Sequence, residues 1–211
     1  MIKRSIFIFG LLCMFSSFTS LIVAQDNSIA LDAKETKPLK ADAQSPDVTV
    51  KTLDGKSVSV AALHKDKPVV LVFFRGGWCP ICTRHTQELI KAYPKIKEMG
   101  AEMVGVSPDN LESSKANSDK NSIPFPIYSD ADMSAAKAFG LAFKVDDKTV
   151  EKYKGFGLDL EKASGLSHHA LPIPAVFIVD KSGKIVFAHS NPDYRQRLDT
   201  NTIVNELGKI K

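Results

Sequence analysis

Ten residues decide the fold of this chain: Phe73-Phe74-Arg75-Gly76-Gly77-Trp78-Cys79-Pro80-Ile81-Cys82. They follow a β-branched apolar run that is typical of a buried strand, and they lead into an amphipathic segment that begins near Pro80. The pattern predicts a strand that turns on two glycines into a helix, with two cysteines in the first helical turn. Because the helix dipole and unpaired N–H groups favour negative charge there, this position can lower a cysteine pKa from ~8.5 to roughly 3.5–7.5. The stretch is therefore a candidate site for thiolate chemistry.

The number and spacing of the cysteines limit which thiol chemistry is plausible. Of three, Cys13 lies in an N-terminal apolar segment, which leaves Cys79 and Cys82 in the part expected to fold. One pair three residues apart is unlike the many-bridge framework of a small secreted scaffold, and it favours a reversible redox disulfide. A structural disulfide is one alternative, although so short a loop gains little entropically. A zinc site that includes His85 is another, although no second Cys-x-x-Cys completes four ligands.

The N-terminus resembles a secretory signal. Residues 1–24 combine the basic pair Lys3-Arg4, an apolar run and a small residue, Ala24, before polar sequence. We expect cleavage there and export to the periplasm or the medium. The alternative is an uncleaved membrane anchor over residues 6–24, which approaches the ~20 residues of a bilayer span. Residues 25–45 are polar and low in large apolar groups, so they are expected to form a flexible leader.

The rest of the chain suits one domain. With 211 residues, of which 44% are hydrophobic, residues 46–211 can form a single sizeable core. The formal charge of +4 is small and includes Lys3 and Arg4, so a nucleic-acid partner is not expected. A membrane partner is expected only if the N-terminal segment stays uncleaved.

Local patterns predict strands that alternate with helices, which indicates an α/β fold with βαβ units and a mainly parallel sheet. Residues 141–171 carry mixed charges and three glycines, and they predict a surface excursion with one helix. The predicted strands are 48–53 and 58–60, joined as a hairpin, then 69–74, 101–106, 127–128, 175–179 and 185–187; the predicted helices are 80–100, 109–114, 133–139 and 200–210.

The motif Trp78-Cys79-Pro80-Ile81-Cys82 resembles the redox motif of the thioredoxin superfamily. Within that superfamily, residues 46–207 are similar to peroxiredoxins of the alkyl hydroperoxide reductase and thiol-specific antioxidant type. The block from Phe125 to Gly140 is the most discriminating part of this likeness. The resemblance implies a thioredoxin-like fold, with a central mixed sheet flanked by helices. It also implies a cis bond between Ile173 and Pro174, opposite the cysteine pair, and a Trp78 side chain beside the site.

The chain departs from the peroxiredoxin pattern at three positions. Aligned on Cys82, Arg75 replaces the family's proline, Cys79 replaces its threonine, and Pro174 replaces an arginine before the strand Ala175–Val179. We expect Arg75 or Arg84 to supply the missing positive charge. Which cysteine attacks stays open at this point: the thioredoxin pattern favours Cys79, whereas the peroxiredoxin alignment favours Cys82.

The resemblance implies a thiol-based peroxidase. Its substrate is hydrogen peroxide or an organic hydroperoxide, its partner is a thioredoxin-type protein reductant, and it needs no metal or other cofactor. Attack on the peroxide gives a sulfenic acid that the second thiol converts to a disulfide. The first alternative is a thiol–disulfide oxidoreductase that acts on exported proteins. The second is a non-catalytic domain that uses the fold to dock a partner.

Overall fold

The computed structural model describes residues 28–210. The predicted signal peptide, residues 1–24, and Cys13 within it lie outside the described residues. Within residues 28–210, no helix has the length and apolar character that crossing a membrane requires. The described strands are β1 Thr49–Thr52, β2 Ser57–Ser59, β3 Val69–Phe73, β4 Glu102–Ser107, β5 Ile127–Ser129, β6 Ala142–Lys144, β7 Ala170–Pro172, β8 Ala175–Val179 and β9 Ile185–Ser190; the α-helices are α1 Val60–His64, α2 Pro80–Glu98, α3 Leu111–Asn121, α4 Ser134–Ala138, α5 Asp147–Gly155, α6 Leu160–Ser164 and α7 Thr200–Leu207.

The central sheet is mixed, in the order β2-β1-β5-β4-β3-β8-β9. Only the β3–β4 and β4–β5 pairs are parallel, and hairpins form both edges of the sheet. The α/β class and the mixed sheet implied by the resemblance are confirmed, whereas the mainly parallel sheet predicted from alternation is wrong. Alternating helices and strands identify the βαβ part, but they do not reveal the direction in which the later hairpin joins the sheet.

Strand β3 is the centre of the core. All five of its residues are buried, because helices cover both faces of the sheet. Its last residue, Phe73, pairs with Val106 on one side and Ala175 on the other. The Phe73 ring packs 5.1 Å from Phe139 and 6.0 Å from Phe177 between ring centroids. The end of β3 is thus fixed on three sides, immediately before the cysteine turn.

Residues 141–171 form more than the predicted excursion with one helix. They contain the helices α5 and α6, enclosed by the antiparallel pair of β6 and β7. The segment has a small core of its own, which Trp78 also contacts. The side chains of Asp146 and Asp159 cap the two helices, so part of the mixed charge that indicated a loop acts as helix N-caps.

The described part of the expected flexible leader lies against the domain. Ala30 N–H donates to Ala142 O at 3.0 Å, Leu39 N–H to Phe139 O at 3.1 Å, and Asp42 N–H to Ile185 O at 2.8 Å. The side chains of Ile29, Leu39 and Ala43 also pack against the core of the domain. The polar composition of residues 28–45 predicted a flexible leader, but the structure shows this segment hydrogen bonded to the domain.

Gly140 is where this segment comes closest to the domain. A methyl group there would lie 2.0 Å from Lys37 O, and its φ of +70° is already unfavourable for other residues. Gly157 has a similar φ of +79° but open space around it. We expect Gly157→Ala to lower the free energy of unfolding by about 1–2 kcal/mol. Gly140→Ala should cost about 1–3 kcal/mol more, since overpacking adds to the backbone strain.

Urea unfolding of the two variants measures the difference, and limited proteolysis reports on residues 28–45. Gly140→Ala should also expose this segment to cleavage, whereas Gly157→Ala should not. Equal destabilisation and equal cleavage would show that the segment does not pack against Gly140.

Candidate active site

The turn between β3 and α2 depends on two glycines in close contact with their surroundings. Gly76 has a φ of +135°, and a Cβ there would lie 2.2 Å from Trp78 Nε1. A Cβ on Gly77 would lie 2.4 Å from Asn117 on α3. Larger residues would force the turn away from α3 and change the position at which the helix starts. The predicted turn on two glycines is confirmed.

Asp109, which follows β4, holds the turn from the neighbouring strand. Its carboxylate accepts the Gly77 N–H at 2.7 Å and the Trp78 Nε1–H at 3.2 Å. Burial raises the pKa of Asp109 to about 6, although these hydrogen bonds favour the charged form. Trp78 is therefore held against the turn that precedes Cys79. Its contact with Asp109 is set by the strand pairing that places the end of β4 next to the end of β3.

Both cysteines are free thiols at the start of α2, with 1% of Cys79 and 3% of Cys82 exposed. Cys79 is the N-cap residue, Pro80 occupies the first helical turn, and Cys82 N–H donates to Cys79 Sγ at 3.4 Å. The missing N–H of proline costs nothing there, because the first N–H groups of a helix have no intrahelical acceptor. Strand, turn and helix start follow the sequence prediction.

The pKa values of the two thiols are shifted in opposite directions. A hydrogen bond from the Cys82 thiol lowers the pKa of Cys79, and the Cys82 backbone N–H, Arg75 and Arg197 lower it further. Burial raises the pKa of Cys82, and the neighbouring Cys79 raises it further. A single negative charge on the pair is therefore held mainly on Cys79, with the proton on Cys82.

Within residues 28–210, Arg197 is the basic residue whose side chain hydrogen bonds to a thiol, and the sequence did not identify it. Its Nη2 donates to Cys82 Sγ at 3.2 Å. Its Nε and Nη1 are buried without a hydrogen-bond partner within the described chain. It lies between β9 and α7, in a stretch without a recognisable motif. The basic residues expected to fill this role were Arg75 and Arg84.

His85 holds the segment that carries Arg197. Its Nε2 lies 3.1 Å from Leu198 O, which ties the residues before α7 to α2. Burial and the nearby Arg197 lower the pKa of His85 to about 4, so its ring is neutral at neutral pH. The contact directs His85 to the backbone, away from a metal site with the thiols. Across residues 28–210, no group of three potential metal ligands is close enough to hold an ion.

Arg75 lies at the site but does not contact sulfur with its side chain. Only 5% of it is exposed, and its Nη2 donates to the Tyr153 hydroxyl at 2.6 Å. The guanidinium lies 4.1 Å from the Tyr194 ring centroid and 5.5 Å from that of Trp78. Its charge nevertheless lowers the pKa of Cys79. Tyr153 comes from α5, in the segment whose role the sequence left undefined.

The remaining two candidates differ from their predicted roles. Arg84 is exposed on α2, and within residues 28–210 no hydrogen bond or ion pair joins its side chain to the site. Pro174 is buried between β7 and β8, but the described residues contain no cis peptide bond, so the predicted cis Ile173–Pro174 bond is wrong. The chain passes from β7 to β8 through the trans form, which is the intrinsically preferred isomer. Asn191 N–H donates to Pro174 O at 3.2 Å and ties this connection to the segment before Arg197.

Comparison with known proteins places residues 41–188 in the AhpC/TSA family model. The chain is 31% identical to chloroplastic peroxiredoxin Q of Triticum aestivum over 146 residues, which are 69% of this chain and 57% of that protein. It is 35% identical to the Populus jackii protein of the same name over 129 residues, or 60% of this chain and 58% of that protein. The matched part thus spans less than two thirds of the length of either plant protein.

Solved structures share the fold. Peroxidoxin BcpB of Mycobacterium tuberculosis superimposes with a TM-score of 0.63 at 20% identity, covering 82% of this chain and 99% of that one. Reduced Prx3 of Vibrio vulnificus, solved in complex with hydrogen peroxide, gives a TM-score of 0.66 at 21% identity, covering 80% of this chain and 99% of that one. At such identities the similarity establishes the thioredoxin-like fold alone.

Replacing Arg197 with Met should raise the pH at which the dithiol loses its first proton, because a cation beside both sulfurs would be removed. Arg195→Met is the matched control, since Arg195 is exposed and its Nε pairs with Asp193 Oδ1 at 2.8 Å. The pH dependence of iodoacetamide alkylation measures both variants. Arg195→Met should follow the wild type, and an unshifted Arg197→Met profile would exclude Arg197 as a stabiliser of the thiolate.

Proposed function

The chain belongs to the AhpC/TSA family, and we propose that it is a thiol-dependent peroxidase that reduces hydrogen peroxide or organic hydroperoxides through the Cys79–Cys82 pair. The observation that carries the proposal is the geometry of two buried thiols: Cys82 N–H donates to Cys79 Sγ at 3.4 Å, and Arg197 Nη2 donates to Cys82 Sγ at 3.2 Å. The thiolate is the reactive form of cysteine, and the buried cation stabilises it.

In the proposed reaction, the Cys79 thiolate attacks one oxygen of the peroxide. An S–O bond forms, the O–O bond breaks, and the leaving oxygen takes a proton to become water or an alcohol. Cys79 is then a sulfenic acid, and the Cys82 sulfur attacks it, with loss of water, to form a disulfide. Two electrons pass from sulfur to peroxide, and an external dithiol returns them by thiol–disulfide exchange.

The lowered pKa of Cys79 supports it as the attacking residue, although the peroxiredoxin alignment favours Cys82. Attack needs the sulfur that holds the charge, while the buried, protonated Cys82 suits the resolving step. The helix N-cap position of Cys79 supports the same assignment.

Arg197 supports the peroxide reaction through its unpaired donors. Its Nη2 is occupied at Cys82 Sγ, while Nε and Nη1 are buried and free to donate to the two peroxide oxygens. A positive group there stabilises the charge that develops on the leaving oxygen. We assign to Arg197 the role that the family gives to the arginine replaced here by Pro174.

The second candidate is a thiol–disulfide oxidoreductase that acts on protein disulfides. The unequal pair favours it, because an N-terminal cysteine with a lowered pKa and a buried partner is also the arrangement that exchange with a protein disulfide needs. In either case, we propose export directed by residues 1–24 and a thioredoxin-type protein as the reductant.

One paired assay separates the two candidates. We expect the full-length protein to consume hydrogen peroxide or cumene hydroperoxide with a thioredoxin system, and to reduce insulin disulfides poorly in parallel. Cys79→Ser should lower peroxide turnover by about 10³-fold or more, as removal of a nucleophile does. Fast insulin reduction with negligible peroxide consumption would contradict the peroxidase and favour the exchange reaction.

The attacking cysteine is identified by trapping its sulfenic acid with dimedone after one equivalent of peroxide. In Cys82→Ser, the adduct should accumulate on Cys79, because the resolving thiol is missing. In Cys79→Ser, no rapid adduct should form on Cys82. The reverse pattern would leave the peroxidase proposal intact but assign attack to Cys82.

Arg197→Met should lower kcat/KM for peroxide by about 10²-fold, the effect typical of losing one donor to a developing oxyanion. The Arg195→Met control should keep the wild-type rate. A wild-type rate in Arg197→Met would exclude Arg197 from the peroxide site.

A further inference from the structure

Arg75 is a buried cation without an acidic partner. No carboxylate within the described residues lies at ion-pair distance from its guanidinium, and its Nε has no hydrogen-bond partner there. Only Nη2 is engaged, at the Tyr153 hydroxyl. Leaving a buried donor unpaired is destabilising, and more so when the group is charged. A negatively charged hydrogen-bond acceptor would pair with the Nε–H group and balance the charge of Arg75.

The aromatic rings around Arg75 compensate only part of this cost. Tyr194, Trp78 and Tyr153 lie 4.1, 5.5 and 5.8 Å from its guanidinium carbon. The face of each ring attracts the cation electrostatically. The N–H groups lie at the edge of the guanidinium, where such contacts supply no hydrogen-bond acceptor. The Nε–H group therefore stays unpaired within the described residues.

Arg75 lines a cavity of about 230 Å³ beside the connection that contains Pro174. Half of its lining residues are apolar. Tyr153 and Tyr194 lie at the end where Arg75 is found. Its size is below the roughly 300–1,000 Å³ of drug-sized sites, so it suits a small molecule. The apolar lining residues are Leu31, Ala33, Phe143, Val145, Ile173, Pro174 and Pro192.

The other charged groups of the cavity are engaged elsewhere. Asp32 accepts Lys34 N–H at 2.8 Å, and Asp146 accepts Thr149 N–H at 3.0 Å, so both carboxylates cap helical turns. Lys144 Nζ donates to His168 O at 2.8 Å. All three are exposed, whereas Arg75 is buried. The buried end of the cavity is therefore cationic, and the two exposed acids disfavour a ligand with several negative charges.

We propose that this cavity binds a small apolar monocarboxylate. Its carboxylate accepts hydrogen bonds from Arg75 Nε and from the Tyr153 hydroxyl, whose oxygen already accepts from Arg75 and whose proton can turn to the ligand. Its hydrocarbon lies along Phe143 and Pro174. The carboxylate matches the charge of Arg75, and the apolar wall excludes small hydrophilic anions.

A bound carboxylate also acts on the dithiol. Arg75 is one of the charges that lower the pKa of Cys79, and an anion paired with Arg75 offsets that charge. The ligand thus weakens the thiolate without touching sulfur. Neither cysteine lines this cavity, and its occupation does not depend on peroxidase activity.

Binding is measured through Trp78, which is the only tryptophan in the chain and lies 6.0 Å from the Tyr153 ring. The full-length protein is titrated with hexanoate at constant ionic strength, with 1-hexanol as the neutral control and acetate as the hydrophilic one. We expect a saturable fluorescence change with hexanoate at a Kd on the order of 1 mM, as its few atoms allow. Acetate and 1-hexanol should bind at least tenfold more weakly.

Two variants locate the site. Arg75→Met removes the charge, and Thr149→Phe fills the cavity from α5 without altering Arg75. Thr202→Phe is the matched control, because Thr202 and Thr149 each follow an aspartate N-cap by three residues, on α7 and α5. Both cavity variants should weaken hexanoate binding at least tenfold, and Thr202→Phe should bind as the wild type does.

Slower iodoacetamide alkylation of Cys79 in saturating hexanoate should accompany binding in the wild type and disappear in Thr149→Phe. The proposal is overturned if hexanoate gives no saturable signal, if 1-hexanol binds equally well, or if Thr149→Phe binds hexanoate undiminished. If Arg75→Met does not fold, Thr149→Phe alone decides.

Discussion

Cys79 Sγ accepts hydrogen bonds from the thiol and the backbone N–H of Cys82, at a depth where almost no water reaches either sulfur. A charge buried in this way is costly unless cations and donors surround it. Arg75 and Arg197 both lower the pKa of Cys79. These two arginines add to the effect of the Cys82 hydrogen bonds on the pKa of Cys79, so the elements that position them also influence the pair.

Those elements lie far apart in the chain. Arg197 is held in the segment that His85 ties to α2 through Leu198 O. Arg75 is enclosed by Tyr153 from α5 and by Tyr194 from the same segment as Arg197. The segment before α7 therefore contacts both sides of the site, and α5 adds the hydroxyl that fixes one arginine. A change in either element should therefore shift the pKa of Cys79 although the cysteine motif itself is unchanged.

The local parts of the structure were predictable because neighbouring residues create them. Five consecutive buried residues form β3, two glycines fit a turn that has no room for Cβ atoms, and Pro80 starts the helix. The hairpins and the α/β class follow from alternation and turn residues. Composition was misleading where backbone hydrogen bonds hold the chain, as in residues 28–45, and where aspartates cap short helices, as in 141–171.

The sequence by itself determined that two thiols stand at the start of a helix after a buried strand, because residues close in the chain build that geometry. It could not determine which cations face them. Arg197 is 115 residues from Cys82, and no local pattern separates it from Arg84, which is near the thiols in sequence but exposed. Only the packing of β9 and α7 against the rest of the fold decides that contact. Coulomb interaction depends on distance in space and on burial, and the tertiary structure sets both.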